Sequence, residues 1–156
     1  KIFSLVYSQK IQVGFSSVDY GGCKQKELLY EEHVCIAYYK PFELADLPHM
    51  PYIDYKSDYL LRSQLDKWWR ENFDEPPEVS MQVAKLENCL QMVRHHLGYA
   101  LVPARILRNK PDIFRLDIKG RDNTPILRKT WMLYNDLSCN LPIVKLSVDF
   151  VKGYTF

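Results

Sequence analysis

At 156 residues and 18.5 kDa, the chain is the size of one domain or two small lobes, not of a repeat array. Apolar residues make up 47% and charged residues 26%, which argues against disorder, and charges break every apolar run well before membrane-spanning length. Twenty-one basic against 19 acidic residues leave a net charge of +2, too weak by itself to imply a polyanionic partner.

No signal-peptide pattern opens the chain. Lys1-Ile2-Phe3 starts inside a helical pattern without a methionine and reads as a piece of something longer. Ile2, Leu5 and Val6 recur at helical spacing, so residues 1–9 read as the tail of an amphipathic helix. Ile11–Phe15 is a short strand, ended by Ser16-Ser17 and the Gly21-Gly22 turn signal. Leu28 to Tyr39 is strand-rich, with a break expected at Glu31-Glu32-His33. Pro41, Pro48 and Pro51 mark an irregular connection, the best candidate for a crossing between two lobes.

Pro51–Tyr55 reads as a strand and residues 57–73 as a helix, with Ser57 as cap. Leu61, Leu65, Trp68 and Trp69 form its apolar face, and Arg62–Asp66 and Asp66–Arg70 are i,i+4 pairs on its wet side. Glu78 to Ala84 alternates as a strand. A helix over 86–97 follows, with Gly98 as its stop, then the compact strand Tyr99–Val102 and a helical turn from Pro103. Ile113–Ile118 and Ile126–Tyr134 are two further strands around a turn-rich segment, and a last helix runs from Pro142 to Gly153. Strands alternating with helices predict an α/β fold with a partly parallel sheet and a late antiparallel component.

The four cysteines, Cys23, Cys35, Cys89 and Cys139, are scattered, with no zinc spacing among them. Cys35 in an apolar strand and Cys89 on an apolar helix face read as small hydrophobes, which favours a reducing cytoplasm over a disulfide framework. His95 and His96 diverge by roughly 100° on a helix and cannot easily share a metal, so no metal site is expected. No phosphate loop, nucleophile elbow or acid–base pair at motif spacing is present, which gives catalysis and a bound cofactor no support. Residues 105–129 carry eight Lys/Arg against three Asp; solvated strands and turns explain them better than a nucleic-acid patch.

The helix starts carry more. In a parallel α/β sheet the strand C-termini meet the helix N-termini along one edge, and ligands collect there. The junctions are Tyr55-Lys56-Ser57-Asp58, Ala84-Lys85-Leu86-Glu87 and Val102-Pro103. Two of them set a lysine beside unsatisfied backbone N–H groups, which suits a small anion. Ordinary helix capping by Ser57 and Asp58 accounts for the first junction equally well.

The segment Val93-Arg94-His95-His96-Leu97-Gly98-Tyr99-Ala100-Leu101-Val102-Pro103 resembles the helix–Gly–strand–Pro segment of LysR-type transcriptional regulators. Ile11-Gln12-Val13-Gly14-Phe15 is similar to that family's Ile-Asp-apolar-Gly-Phe strand, and Leu29–Ile36 to its Leu-x-x-Glu-x-apolar strand. Ala45-Asp46-Leu47-Pro48 with Pro51-Tyr52-Ile53 resembles its crossing, and Leu141–Val151 its closing helix. Gln12 departs from the usual Asp, Leu97 from the first of two usual glycines, and the loop around Lys40-Pro41 is shortened.

The resemblance implies a two-lobed, type II periplasmic-binding-protein-like α/β fold of mixed, mostly parallel sheets with flanking helices. Lobe one is then 1–46 with 135–156, lacking its first β-α-β portion, and lobe two is 47–134. It also implies a non-catalytic, cytoplasmic sensor that holds a small anionic effector between the lobes. A homodimer or tetramer would couple that effector to DNA through an N-terminal helix-turn-helix outside this chain. Carried over by position, the effector site is Ser16, Ser17, Tyr38, Tyr55, Ser57, Lys85 and Leu86, with Val102 behind them. The alternative on the same fold is a transporter's solute-binding protein.

Overall fold

A computed structural model describes residues 2–17, 25–135 and 137–156, so the expectations at Gly21-Gly22 and Cys23 fall outside the described residues. The chain forms two compact units, Lys1–Glu31 with Lys129–Phe156, and Glu32–Arg128. Both changes of unit fall inside strands, β2 (Lys26–Tyr38) and β7 (Leu127–Tyr134).

In the first unit, helix α1 (Ile2–Tyr7) packs on strand β1 (Val13–Ser16). The approach is close: a Cβ on Gly14 would lie 2.5 Å from Ile2 Cγ2. β1 pairs antiparallel with β7, Val13 opposite Tyr134 and Ser16 opposite Trp131. Met132, Tyr134, Val144 and Val148 form the core with helix α4 (Pro142–Lys152), which has Pro at its start and Gly153 as cap, as the sequence predicts.

The second unit is a sheet covered on both faces. Strands β3 (Tyr52–Tyr55), β4 (Val79–Val83) and β5 (Ala100–Pro103) alternate with helices α2 (Tyr59–Asn72) and α3 (Leu86–Arg94). β3 pairs parallel with β4, and Tyr52 bridges Tyr99 in parallel, with Tyr99 N donating to Pro51 O and Ile53 N to Tyr99 O. β2 pairs antiparallel with β5 and with strand β6 (Phe114–Asp117). Parallel pairing is thus narrower than the sequence suggests. It is confined to the strands joined by helical crossovers, because only such connections return a strand in the same direction.

Side-chain alternation assigns the two faces. Val34, Ile36, Tyr52 and Leu101 pack with Leu61, Leu65, Trp68 and Trp69 of α2. Cys35, Ala37, Ile53, Ala100 and Val102 pack with Cys89, Leu90 and Val93 of α3. Both tryptophans of α2 are core residues; Trp69 Nε1 donates to Glu75 O at 2.7 Å and fixes the ring.

Three local expectations change. β2 runs unbroken through Glu31-Glu32-His33, because Glu32 turns inward and accepts from the Arg105 amide at 3.2 Å. The cap of α2 is Asp58, whose Oδ1 accepts from Leu61 N at 3.0 Å, not Ser57. α3 ends at Arg94, with His96 in the left-handed region (φ 62°) closing it four residues before β5. Gly98 serves a different purpose: a Cβ there would lie 2.4 Å from Pro51 O. The expected late antiparallel component is present: β6 pairs antiparallel with β2 and β7 with β1, and Lys119 and Pro125, between β6 and β7, form an isolated antiparallel bridge.

Candidate ligand-binding site

Tyr-Ile-Asp-Tyr of β3 places one carboxylate, Asp54, on the face that α2 covers, where it is 2% exposed. A buried charge requires a partner. Arg62, in the first turns of α2, supplies two parallel bonds, Nη1 to Oδ1 at 2.8 Å and Nη2 to Oδ2 at 3.0 Å. Gln82 Nε2 donates to Oδ2 at 3.2 Å from β4, and the Tyr52 hydroxyl lies 3.5 Å from Oδ1. The carboxylate raises the pKa of Arg62 further above its already high ordinary value, chiefly through those hydrogen bonds. Burial, then the nearby Asp54 charge, raises that of the Tyr52 phenol.

This pair is the common wall of two cavities in the second unit. One, of about 330 Å³, is lined by Asp54, Lys56, Arg62, Gln82, Val83 and Ala84. It lies at the C-terminal ends of the parallel strands β3 and β4, the position the topology reserves for ligands. Asp54 neutralises Arg62, so Lys56 is the uncompensated charge; it is exposed and has no ion-pair partner among the described residues. The other cavity, of about 240 Å³, lies between α2 and the sheet, with Tyr52, Tyr55, Ser57 and Trp69 among its lining.

The residues expected from the sequence fall as follows. Tyr55 and Ser57 come together on the cavity under α2, and the Ser57 hydroxyl oxygen is buried with no hydrogen-bond partner among the described residues. Lys85 is exposed at the cap position of α3 without a side-chain capping bond, next to Ala84 of the cationic cavity, and Leu86 is half-buried beside it. Val102 has no exposed surface, and its carbonyl accepts from Cys35 Sγ. Tyr38 is half-buried, its ring 4.6 Å from that of Tyr39 and 5.8 Å from that of Phe42; burial raises its pKa, with Tyr39 adding to the shift. Ser16 and Ser17 are half-buried in the first unit.

Sequence reasoning missed Asp54, Gln82 and the main role of Arg62. The available signal was a single acidic residue inside an otherwise apolar strand, which demands a cation from a packed neighbour. His96 stacks on Tyr39 at 3.8 Å, and no cluster of potential metal ligands occurs among the described residues. Of the basic residues of 105–129, Arg115 pairs with Asp117 at 2.8 Å and Arg128 lies 3.8 Å from Glu32, while Asp112 of the same stretch pairs with Arg94 at 2.8 Å. No helix of the described residues is long and apolar enough to cross a membrane.

Residues 13–155 match the family model described as the LysR substrate binding domain. The chain belongs to that family. It is 30% identical over 152 residues to the uncharacterized HTH-type transcriptional regulator YraN of Bacillus subtilis (strain 168), covering 97% of this chain and 53% of that protein. The chain spans about half the length of the curated relatives it matches. Among solved structures, the bromide-bound regulatory domain of HypT from Salmonella typhimurium aligns with a TM-score of 0.77 at 14% identity, over 97% of this chain and 75% of that one. The effector-binding domain of QuiR in complex with shikimate aligns with a TM-score of 0.72 at 16% identity, over 99% and 76%. Those two likenesses carry the fold: this LysR domain is an α/β protein of mixed sheets, like theirs.

Proposed function

We propose that this chain is the effector-sensing part of a longer, non-catalytic LysR-type transcription factor and that its ligand is a small anion. The observation that carries the reading is the cavity at the C-terminal ends of β3 and β4, where Asp54 cancels Arg62 and leaves Lys56 uncompensated. The family match and the HTH-type relatives favour this reading over a transporter's solute-binding protein. QuiR, a structural relative, is bound to shikimate, a carboxylate.

In this reading Lys85 and Lys56 attract the anion, Ser57 hydrogen-bonds it, Tyr38, Tyr55 and Leu86 supply contact surface, and Val102 backs the wall. The ligand acts by its difference in affinity between two arrangements of the domain. In the whole protein, a cytoplasmic dimer or tetramer, that difference changes affinity for DNA held by a helix-turn-helix. The test is fluorescence anisotropy of the full-length regulator on its own promoter DNA, titrated with small carboxylates and phosphates. One anion changes the DNA affinity saturably, and Lys85→Ala removes the response; DNA affinity indifferent to every anion contradicts the proposal.

A further inference from the structure

Helix α4 has two apolar faces, and its own unit covers one of them. Val144 and Val148 are buried with Met132 and Tyr134 of β7. Ile143, Leu146 and Phe150 recur at spacings of three and four, yet they are 70%, 66% and 71% exposed. At about 3.6 residues per turn, this second stripe points roughly 150° away from the first. It continues past the helix end. The Tyr154 ring lies 6.2 Å from that of Phe150 and 4.9 Å from that of Phe156, which in turn lies 5.3 Å from the Tyr30 ring. Together these side chains offer a contiguous patch on the order of 500 Å², a size that marks an interaction site on a protein surface.

The charges of α4 all fall on one flank of that stripe. The helical period places Lys145, Asp149 and Lys152 on one side of it and Ser147 and Val151 on the other. Lys152 is held over the Tyr134 ring, 5.3 Å from its centre. Lys145 and Asp149 are exposed, and neither forms an ion pair among the described residues. Helices packed antiparallel about a two-fold axis bring like flanks together with the residue order reversed, whereas parallel helices bring opposite flanks together. Two copies of α4 packed antiparallel through the stripe, with the axis near Ser147, therefore set Lys145 of each copy against Asp149 of the other. Phe150 of each copy then lies beside Ile143 of the other. Parallel packing sets both charges against Ser147 and Val151 and leaves them unanswered.

We propose that the outer face of α4 is a self-association surface, which pairs antiparallel with the same face of a second copy of this chain. The two-fold axis uses up the patch on both copies, so assembly through it stops at two. With roughly 500 Å² per copy against about 800 Å² in a standard interface, the dimer is of micromolar strength. The surface lies wholly within the first unit and includes none of the residues that line the anion cavity, so it stands or falls separately from the sensor reading.

The test is sedimentation equilibrium of the chain over about a hundredfold range of concentration around the micromolar. The mass should rise from 18.5 kDa to twice that value and level off there. Leu146→Glu and Phe150→Glu replace exposed side chains, so each should keep the thermal midpoint of the dilute parent and weaken association by about tenfold or more. Tyr59→Glu removes an aromatic that is 81% exposed on α2, and it leaves association unchanged. Lys145→Asp and Asp149→Lys each weaken the dimer, and the two together restore it, which a patch acting only by excluding water does not do. The proposal is overturned if the mass stays at 18.5 kDa throughout, or climbs past two copies without levelling. It is also overturned if Tyr59→Glu dissociates the dimer as Phe150→Glu does, or if the double charge swap fails to restore it. In the longer parent polypeptide, self-association indifferent to Phe150→Glu gives the face to another segment of that polypeptide and overturns the proposal too.

Discussion

Arg62 donates from both terminal nitrogens to both oxygens of Asp54, at 2.8 and 3.0 Å, tying the end of β3 to the first turns of α2. The two partners are unequal, since the Asp54 side chain is 3% exposed and that of Arg62 is 42% exposed. Removing the arginine strands a buried carboxylate on Gln82 and Tyr52 alone. Arg62→Ala should therefore cost on the order of 3 kcal/mol, the low end for a broken buried pair because one partner is half in water. Urea unfolding measures it, with Lys67→Ala as the comparison, since the exposed Lys67–Glu71 pair at 3.9 Å contributes little. Equal losses in the two variants contradict this account.

Glu32 makes stability depend on pH in a defined direction. Burial raises its pKa above the ordinary 4.5, against the lowering effects of the Arg105 amide and of Arg128. A carboxyl whose folded pKa is raised favours the folded state fully below its unfolded pKa and loses that contribution as pH rises through the folded one. At pH 7 the charged Glu32 is thus a net liability, and Glu32→Gln keeps an acceptor for Arg105 N–H. The variant should be at least as stable as the parent at pH 7 and lose ground to it as pH falls to about 4.5. Thermal midpoints across that range check this; a variant weaker at pH 7 that catches up in acid contradicts it.

Gly98 sits where two strands close in parallel, and its Cβ would meet the Pro51 carbonyl that Tyr99 N already uses. Gly98→Ala should cost about 2 kcal/mol or more, because backbone on both sides must move. At Gly120 the nearest atom to an added Cβ is Thr124 O at 3.7 Å, so Gly120→Ala should fall within about 0.5 kcal/mol of the parent. Denaturant midpoints separate them.

Cys35 and Cys89 have no exposed surface, and burial pushes both thiols up to about 12. In a chain with Cys23→Ser and Cys139→Ser, a disulfide reagent at pH 8 should label these two only as fast as the second unit opens, and completely in denaturant. Rapid labelling of native protein contradicts the burial.

The elements were legible where periodicity is strong. Leu61, Leu65, Trp68 and Trp69 define one face of α2, and Cys89, Leu90 and Val93 define one face of α3, as their spacing predicts. The ends were less legible. Choosing Asp58 over Ser57 as cap, or closing α3 at His96 instead of Gly98, depends on where the sheet pulls the chain, which local propensity does not encode. Glu32 inside β2 reads as a strand-breaker until the Arg105 amide arrives from 73 residues away. The candidate cavity followed the same division. Lys56 and Ala84 of its lining belong to the strand–helix junctions, whereas the bond between Asp54 and Gln82, 28 residues apart, is a product of the fold.

Thermal unfolding of this chain against small carboxylates, phosphates and aromatic acids tests the central claim most directly, because a ligand that binds the folded state raises the midpoint by linkage. The account predicts one anion with a saturable, concentration-dependent rise that Lys56→Gln diminishes and Lys85→Ala abolishes. A rise of the same size in both lysine variants, or no rise with any anion, contradicts it.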